Sequence, residues 1–385
     1  MFRYRCLNPI SQLGLRLFTE KYRENAENAD VILVRSAEMK DFPFDESLLA
    51  VARAGAGVNN IPVDRCSEAG IVVFNTPGAN ANGVKELVLS GLLLASRDIL
   101  GGVRWALSEK DNPDLEKLTE KQKKNFAGYE IQDKKLGVIG LGAVGVLVAN
   151  AAISLGMQVY GYDPYMSVDA AWNLNKSTTH VKDIHYIFTN CDFITVHVPL
   201  LPETKHLINK ETIDLMKPGV VILNYARGPL VNSADMAEAL RSGKVRKYLS
   251  DFPEAEILAE PNAIVTPHLG ASTEESEDNC AMMAVREVMD FLENGNIKNS
   301  VNLPDCDMGV PTRDGRVSIV YKNVKNMISQ FTGTLGDSGI NIDNMLNKSK
   351  GNYAYCMFDL DSPAEADVIE KIKKIPGVFK VRVIK

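Results

Sequence analysis

The chain has 385 residues, a formal net charge of −6, 24% charged residues and 45% hydrophobic residues. This length allows two or three domains with large cores, and the composition is ordinary for a globular protein. The acidic balance argues against a general nucleic-acid binder. No run of about 18 apolar residues and no signal-peptide pattern is present, so we expect neither a membrane span nor export.

Six cysteines are scattered along the chain without CxxC spacing, and they are Cys6, Cys66, Cys191, Cys280, Cys306 and Cys356. Disulfide frameworks and zinc sites usually cluster their cysteines. We therefore expect reduced thiols in a cytoplasmic protein, with no bound metal.

The first hundred residues alternate short apolar runs with helical stretches. The runs cover residues 29–35, 48–54 and 71–75, and they are nearly continuous and rich in β-branched residues. This pattern is typical of strands that are buried on both faces of a parallel sheet. A helix is predicted from about residue 83 to 99. The polar, lysine-rich residues 108–126 are predicted to be exposed.

A second alternating series begins at Lys135, and helical segments fill most of its gaps. Its strand candidates are residues 135–140, 157–163, 191–199, 219–226, 245–252 and 262–268. The alternation predicts a doubly wound α/β domain. A long amphipathic helix is predicted from about Ser272 to Asn294, with a capping box formed by Ser272 and Glu275.

The C-terminal part changes character. Residues 296–314 are rich in Asn, Asp, Pro and Gly, as in a linker. The strand candidates beyond them are residues 317–322, 341–348, 353–360 and 378–385, with a helix after the first and another after the third. This order predicts a βαββαβ, ferredoxin-like domain.

The predicted fold class is therefore α/β, with two doubly wound Rossmann-like domains followed by a ferredoxin-like domain. The predicted boundaries are 1–95 with 275–300 for the first domain, 96–274 for the second, 301–314 for the linker and 315–385 for the last domain.

Gly140, Gly142 and Gly145 form a GxGxxG that leaves one predicted strand and opens an apolar helix. In that context the glycines permit a tight turn, a close approach of backbone to a pyrophosphate and close packing of helix on strand. Asp163 ends the next strand, 18 positions after Gly145. Its carboxylate suits the two ribose hydroxyls of adenosine and repels a 2′-phosphate, so we predict NAD rather than NADP. In the alternative interpretation the glycines serve only the turn, and Asp163 caps a loop.

Five histidines are candidates for acid–base chemistry. His180 and His185 lie in a polar stretch and are predicted to be exposed, and His206 is predicted to lie in a loop. We interpret His197, within a strand, as a structural histidine. His268 ends a strand and precedes a Gly-containing loop, where doubly wound sheets form their ligand crevice. It is the best acid–base candidate.

Two further strand ends reach the same edge of the sheet. One ends at Arg227, and the other runs into Asp251, Glu254 and Glu256. An arginine that holds a carboxylate, a histidine that accepts a hydroxyl proton and a carboxylate that orients the histidine suit hydride transfer at a 2-hydroxy acid. In the alternative interpretation these are solvated loop charges.

Six segments carry a resemblance to a known family. They are RAGAGVNNIPVD (53–64), NTPGANANGVKEL (75–87), LGVIGLGAVG (136–145), VHVPLLPET (196–204), MKPGVVILNYARG (216–228) and TPHLGAST (266–273). With them the chain resembles the D-isomer-specific 2-hydroxyacid dehydrogenases over nearly all of residues 30–300. The last 70 residues or so resemble an ACT regulatory domain. The resemblance implies an NAD-dependent oxidoreductase with a substrate-binding domain, an NAD-binding domain and a regulatory domain.

Within the family, the chain is most similar to members that oxidise 3-phosphoglycerate in the first step of phosphorylated serine biosynthesis. The alternatives are another D-2-hydroxyacid, of the glycerate or lactate type, and a non-catalytic NAD-sensing protein of the same fold.

The resemblance implies Arg227, Glu256 and His268 as catalytic residues. The family usually reads Asp-Val-Phe before the glutamate and Glu-Pro at it, whereas this chain reads DFPEAEI from Asp251. Glu254 therefore remains an alternative to Glu256. The residues implied for the cofactor are Thr76, Gly140, Gly142, Ala143, Val144, Gly145, Asp163, Val198, Pro199, Tyr225, Ala226, Asp251, His268, Gly270 and Ala271.

For the substrate, the resemblance implies Arg53, Gly55, Ala56, Gly57 and Asn80, besides Arg227 and His268. Arg35 is a further candidate because a phosphate needs charge-assisted donors. Surface ion pairs are the alternative interpretation of Arg35 and Arg53.

In the ACT-like segment, Asn323 and Asn341 match positions that hold an amino-acid effector. Lys325 and Asn326 replace the usual Pro-Gly, and Tyr321 replaces a frequent histidine. A purely dimerising ACT domain is therefore an alternative. We expect a homodimer or homotetramer.

Overall fold

The computed structural model describes residues 1–25 and 27–384. Contacts divide the chain into two compact units, which are residues 1–80 with 274–385, and residues 81–273. The domain boundaries predicted from the sequence stay predictions.

The strands and helices are numbered along the chain. The strands are β1 (Phe2–Cys6), β2 (Tyr22–Glu24), β3 (Val31–Val34), β4 (Ala50–Arg53), β5 (Val72–Phe74), β6 (Lys135–Ile139), β7 (Gln158–Tyr162), β8 (Thr179–His180), β9 (Phe193–Val196), β10 (Val220–Asn224), β11 (Val245–Ser250), β12 (Ala263–Val265), β13 (Arg316–Lys322), β14 (Ile342–Lys350), β15 (Tyr353–Leu360) and β16 (Val378–Val383). The α-helices are α1 (Gln12–Leu15), α2 (Val63–Glu68), α3 (Ala81–Ser96), α4 (Ile99–Ser108), α5 (Leu115–Gln122), α6 (Ala143–Ser154), α7 (Val168–Asn173), α8 (Ile184–Asn190), α9 (Lys210–Leu215), α10 (Ser233–Arg241), α11 (Ala255–Leu258), α12 (Glu274–Asn294), α13 (Met327–Asp337) and α14 (Ala366–Lys373). Short 3-10 helices cover Lys123–Phe126 and Gly228–Leu230.

The first unit contains a parallel five-stranded sheet with the order β2-β1-β3-β4-β5. Every residue of β3 and β5 is buried, which explains the continuous apolar runs. One face of the sheet packs against α12 through residues such as Val285, Val288 and Phe291. Strand β1 has no counterpart among the predicted strands, because its residues are half-buried and mix aromatic side chains with arginines.

The first unit also contains the predicted βαββαβ segment, whose antiparallel sheet has the order β14-β15-β13-β16. Helices α13 and α14 cover one face of this sheet. The other face joins the core of the five-stranded sheet through Val320, Tyr355 and Met357. The strands β13 and β15 are therefore buried on both faces within the first unit.

A buried arginine fastens this sheet to the rest of the first unit. Arg316 is 1% exposed and forms two hydrogen bonds with Asp359, of 2.6 Å and 2.7 Å. Its remaining donors reach the carbonyls of Asn294, Met308 and Gly309. Because a buried guanidinium is costly unless it is paired and hydrogen-bonded, these partners fix the position of β13.

The second unit is a doubly wound domain, and it confirms the predicted fold class. Its seven parallel strands have the order β12-β11-β10-β9-β6-β7-β8, with apolar cores on both faces. In the central strand β10, Ile222 pairs with Ile194 on one side and with Tyr248 on the other. This order places the ends of β6, β9, β10 and β11 next to one another.

Several predicted elements differ in their bounds. The helix predicted at 83–99 is α3, which ends at Ser96, and a second helix, α4, begins at Ile99, where Asp98 caps it by accepting a hydrogen bond from the Gly101 N–H. The helix predicted from Ser272 begins at Glu274, and the Ser272 hydroxyl donates to the His268 carbonyl instead of capping. The strand predicted at 262–268 ends at Val265, so His268 lies in the following loop.

Within residues 1–25 and 27–384, no helix combines the length and the apolarity that a bilayer crossing requires.

Candidate functional site

The glycine-rich turn after β6 leaves open space at the N-terminus of α6. Gly140 has a φ of 92°, and a Cβ there would lie 2.8 Å from the His197 carbonyl oxygen. A Cβ on Gly145 would collide with the Gly140 carbonyl, so helix and turn are in direct contact. At Gly142, by contrast, nothing lies within 4 Å of the Cβ position. Gly142 caps α6, and Ala143 and Val144 begin it. Their N–H groups suit a pyrophosphate.

Asp163 holds this turn from the end of β7. Its Oδ2 accepts a hydrogen bond of 2.8 Å from the Leu141 N–H, and its Oδ1 accepts one of 2.8 Å from the Tyr165 N–H. The loop-capping role that we considered as an alternative is thus present. Because each carboxylate oxygen keeps a second lone pair, contact with ribose hydroxyls stays a compatible prediction.

The loop after β10 presents Arg227. Asn224 shapes this loop, since its Nδ2 donates to the Arg227 carbonyl at 2.9 Å and its Oδ1 accepts from the Ala226 N–H at 3.2 Å. Arg227 Nη1 donates to the Ala226 carbonyl at 2.7 Å. Arg227 forms no ion pair with any residue that the structure describes, so its guanidinium retains donors for a carboxylate.

The loop after β11 begins with Asp251, which is 0% exposed. Its Oδ2 accepts a hydrogen bond of 2.8 Å from the Gly270 N–H, whereas its Oδ1 has no partner among the described residues. Burial raises the pKa of Asp251, and the Gly270 N–H and the nearby His268 oppose that shift. An unpartnered acceptor at this depth suits an amide donor such as that of nicotinamide.

His268 is exposed in the loop after β12, and its ring centroid lies 4.8 Å from that of Phe252. Glu254 binds the Ser233 hydroxyl, and Glu256 is exposed in the first turn of α11. Neither Glu254 nor Glu256 forms a hydrogen bond with His268 among the residues that the structure describes. The structure therefore brings together Asp251 and His268, while the choice between Glu254 and Glu256 stays a prediction.

The other histidines agree with their interpretations. His197 Nε2 lies 2.9 Å from Thr195 Oγ1, and burial lowers the pKa of His197 to about 4, which confirms a structural histidine. His180 and His185 are exposed, and His206 lies in a loop, as predicted.

The remaining cofactor candidates also follow strands. Val198 and Pro199 follow β9, and Val198 Cγ1 lies 3.0 Å from the Cβ position of Gly140. Tyr225 and Ala226 follow β10, and Ala271 follows Gly270. In the first unit, Thr76 follows β5 and is fully buried.

The substrate candidates of the first unit surround the end of β4. Arg53 Nε donates to the Arg35 carbonyl at 2.9 Å, and the Gly55 carbonyl accepts from the Thr76 N–H at 3.1 Å. Arg35 forms an ion pair of 2.5 Å with Glu277, and both side chains are 42% exposed. This contact matches the alternative interpretation of Arg35. The other candidates are half-buried in these loops, and they are Ala56, Gly57 and Asn80.

The effector candidates lie in the C-terminal sheet domain and have intramolecular contacts. Asn323 Nδ2 donates to the Gly351 carbonyl at 3.1 Å. Asn341 is exposed, and its N–H donates to Asp361 at 3.1 Å. Tyr321 is buried and donates to Asn347 at 2.6 Å. The Asn323 amide is therefore already engaged.

Sequence reasoning missed three contacts of these sites, which are Phe252 with His268, Ser233 with Glu254, and Glu277 with Arg35. The two members of each pair lie in different loops or helices and are separated along the chain. No local pattern signals them.

Residues 92–270 match the family described as the D-isomer specific 2-hydroxyacid dehydrogenase, NAD binding domain. A D-3-phosphoglycerate dehydrogenase of Methanocaldococcus jannaschii is 37% identical over 303 residues, which are 76% of this chain and 56% of that protein. One of Haemophilus influenzae is 29% identical over 350 residues, which are 88% of this chain and 81% of that protein. This chain spans little more than half the length of several such relatives.

A solved structure of NAD⁺-bound 3-phosphoglycerate dehydrogenase from Entamoeba histolytica is 28% identical, with a TM-score of 0.59 over 78% of this chain and 98% of that chain. These similarities agree with the doubly wound second unit and with its open glycine-rich turn. Residues 92–270 are therefore similar to the NAD-binding domain of the D-isomer-specific 2-hydroxyacid dehydrogenase family, and NAD is the cofactor of that domain.

Proposed function

We propose that this chain is a D-3-phosphoglycerate dehydrogenase, which oxidises 3-phospho-D-glycerate to 3-phosphohydroxypyruvate in the first step of phosphorylated serine biosynthesis. The observation that carries the proposal is the position of Arg227, Asp251 and His268 at the same sheet edge as the Gly140 turn. Relatives of that name support the substrate.

In the proposed reaction, NAD supplies the hydride acceptor. Arg227 binds the substrate carboxylate and polarises the oxygen on C2 through its guanidinium. His268 accepts the proton of the C2 hydroxyl while the hydrogen on C2 leaves as hydride, so the alcohol becomes a ketone. Glu256, or Glu254 in its place, stabilises the protonated imidazole. Asp251 holds the loop that carries His268 through its bond to Gly270.

For the phosphate group we propose Arg53 and the turn of Gly55, Ala56 and Gly57. Backbone N–H groups beside a guanidinium are suitable phosphate donors. Arg35 is less available because Glu277 neutralises it. The ion pair between Arg35 and Glu277 favours a second candidate substrate, which is a D-2-hydroxyacid without phosphate, such as glycerate or lactate.

The test is NADH formation by the purified full chain with 3-phosphoglycerate, D-glycerate and D-lactate. We expect the highest kcat/KM with 3-phosphoglycerate. A higher value with glycerate or lactate would move the assignment to the second candidate. No NADH with any of the three acids would favour a non-catalytic NAD-sensing protein.

We further propose that the C-terminal sheet domain is an ACT domain and that the chain forms a homodimer or homotetramer. The edge strand β14 is exposed at most positions, which suits pairing with another copy. In the second unit, α4 exposes Ile99, Val103 and Leu107. Sedimentation at several protein concentrations tests the assembly. Calorimetric titration with L-serine tests whether Asn323 and Asn341 bind an amino-acid effector, and we expect weak binding or none.

The six free cysteines support a cytoplasmic location.

A further inference from the structure

A cavity of about 420 Å³ lies in the first unit along α12. This volume is within the range of pockets for small molecules. None of the residues that we predict for cofactor or substrate lines it. Its lining includes Met282, Met283, Arg286, Glu287, Lys298 and Asn299.

The lining contains a buried carboxyl group that lacks one partner. Glu287 is 8% exposed. Its Oε1 accepts a hydrogen bond of 2.6 Å from Asn299 Nδ2, whereas its Oε2 has no partner among the described residues. Leaving a buried polar atom unsatisfied is unfavourable, so a ligand atom that reaches Oε2 from the cavity would gain a hydrogen bond.

Burial favours the protonated, neutral form of Glu287. Burial raises its pKa to about 8, with Asp305 acting in the same direction and Asn299 and Lys298 opposing it. Below that pH the carboxyl group keeps its proton, and its hydroxyl is a hydrogen-bond donor. The ligand atom that it suits is therefore an acceptor.

Two exposed cations line this cavity. Arg286 and Lys298 are exposed, and neither forms an ion pair with a residue in the described part of the chain. Asp290 also lines the cavity, but its Oδ1 accepts from the amides of Asn294 and Asn296, at 2.8 Å and 2.9 Å. With Glu287 neutral, the lining has a net positive charge, which favours an anion.

The rest of the lining includes the side chains of Met282 and Met283, which are half-buried. Thioether side chains adapt to short hydrocarbon groups. The lining thus combines an anion-binding end, an apolar part and one buried donor.

We propose that this cavity binds a small organic acid. Its acid group faces Arg286 and Lys298, its hydrocarbon part contacts the two methionines, and a carbonyl or hydroxyl oxygen accepts the hydrogen bond of Glu287. This proposal does not depend on the proposed function.

The experiment is calorimetric titration of the full chain with 4-oxopentanoate and with succinate. Neither acid has a 2-hydroxy or 2-oxo group, so neither is a substrate of the proposed reaction. We expect saturable binding of at least one probe at millimolar concentrations. No saturable binding of either probe would overturn the proposal.

The double variant Arg286→Gln with Lys298→Gln removes the anion-binding end, and we expect its affinity to fall by about tenfold or more. The matched control is Arg16→Gln with Lys322→Gln, two exposed cations of the same unit outside the cavity, and we expect unchanged affinity. Equal affinity in both double variants would show adventitious binding and overturn the proposal.

Glu287→Gln keeps a donor at the buried end but cannot ionise, so we expect it to retain binding. The wild type should lose affinity as the pH rises above about 8, because the Glu287 carboxylate then repels the acid, while the Gln variant should not. The charged groups around Glu287 are Arg286, Asp290, Lys298 and Asp305. If the wild type and the Glu287→Gln variant lose affinity equally as the pH rises, the probe does not contact Glu287, and the proposal is overturned.

Discussion

The two parallel sheets of the molecule differ in how they present polar groups at their carboxyl ends. In the second unit, groups remain available, since Gly142 borders open space, Arg227 retains donors and Asp251 Oδ1 has no partner among the described residues. In the first unit, Arg53 is bonded to the Arg35 carbonyl, and Arg35 is paired with Glu277. We infer that the carboxyl end of the second unit's sheet is preorganised for its ligand, whereas Arg35, at the carboxyl end of the first unit's sheet, has to exchange Glu277 for a ligand.

The largest expected effect tests the chemistry of the second unit. His268→Ala should lower the turnover with 3-phosphoglycerate by roughly 10²–10⁴, the usual contribution of an acid–base group, because the C2 hydroxyl loses its proton acceptor. NADH binding, measured by fluorescence titration, should change little. His185→Ala is the control, since His185 is exposed. Near-normal turnover of the His268 variant would exclude His268 as the base.

The next effect concerns cofactor choice. We expect kcat/KM with NAD to exceed that with NADP by more than about tenfold, since the Asp163 carboxylate repels a 2′-phosphate. Asp163→Asn keeps an oxygen acceptor for the turn but removes the charge, so the preference should decrease. Asp169→Asn in α7 is the control. Equal use of both cofactors by the wild type would remove Asp163 from this role.

A smaller effect distinguishes the two glutamates. A neighbouring carboxylate raises the pKa of a histidine, so its removal should move the pH–rate profile of oxidation to lower pH, by about one unit. We expect this shift in Glu256→Gln and not in Glu254→Gln, whose carboxylate already binds Ser233. A shift in the Glu254 variant alone would show that our alignment of this loop is wrong by two residues.

The smallest effect compares the arginines of the first unit. Arg53→Gln should raise the KM for 3-phosphoglycerate by about tenfold, as expected for a lost charge-assisted hydrogen bond. Arg35→Gln should raise it by no more than about threefold, because Glu277 already pairs with Arg35. The KM for D-glycerate is the control. If it rises equally in the Arg53 variant, Arg53 does not bind the phosphate.

Most of the sheet architecture could be predicted because two-sided burial produces continuous apolar runs, as in Val31–Val34 and Val220–Asn224. Strand β1 was not predicted, because its sequence FRYRC alternates aromatic residues with arginines and contains no continuous apolar run. Arg227 and His268 were expected at the ends of strands, and the structure places them in the loops that follow β10 and β12. The unpartnered oxygens of Asp251 and Glu287 could not be predicted, because only the packed structure shows which acceptors lack a donor among the described residues.

The C-terminal sheet has a consequence for how the chain unfolds. Because Val320 of β13 and Tyr355 and Met357 of β15 share a core with the five-stranded sheet, opening β13 exposes apolar surface of both sheets at once. Regions that share a core exchange their amide hydrogens in a common opening step. The amides of β13 and β4 should therefore show similar protection in native-state hydrogen exchange. We therefore expect the strands β13 and β15 to unfold together with the five-stranded sheet, and their removal to expose part of its core.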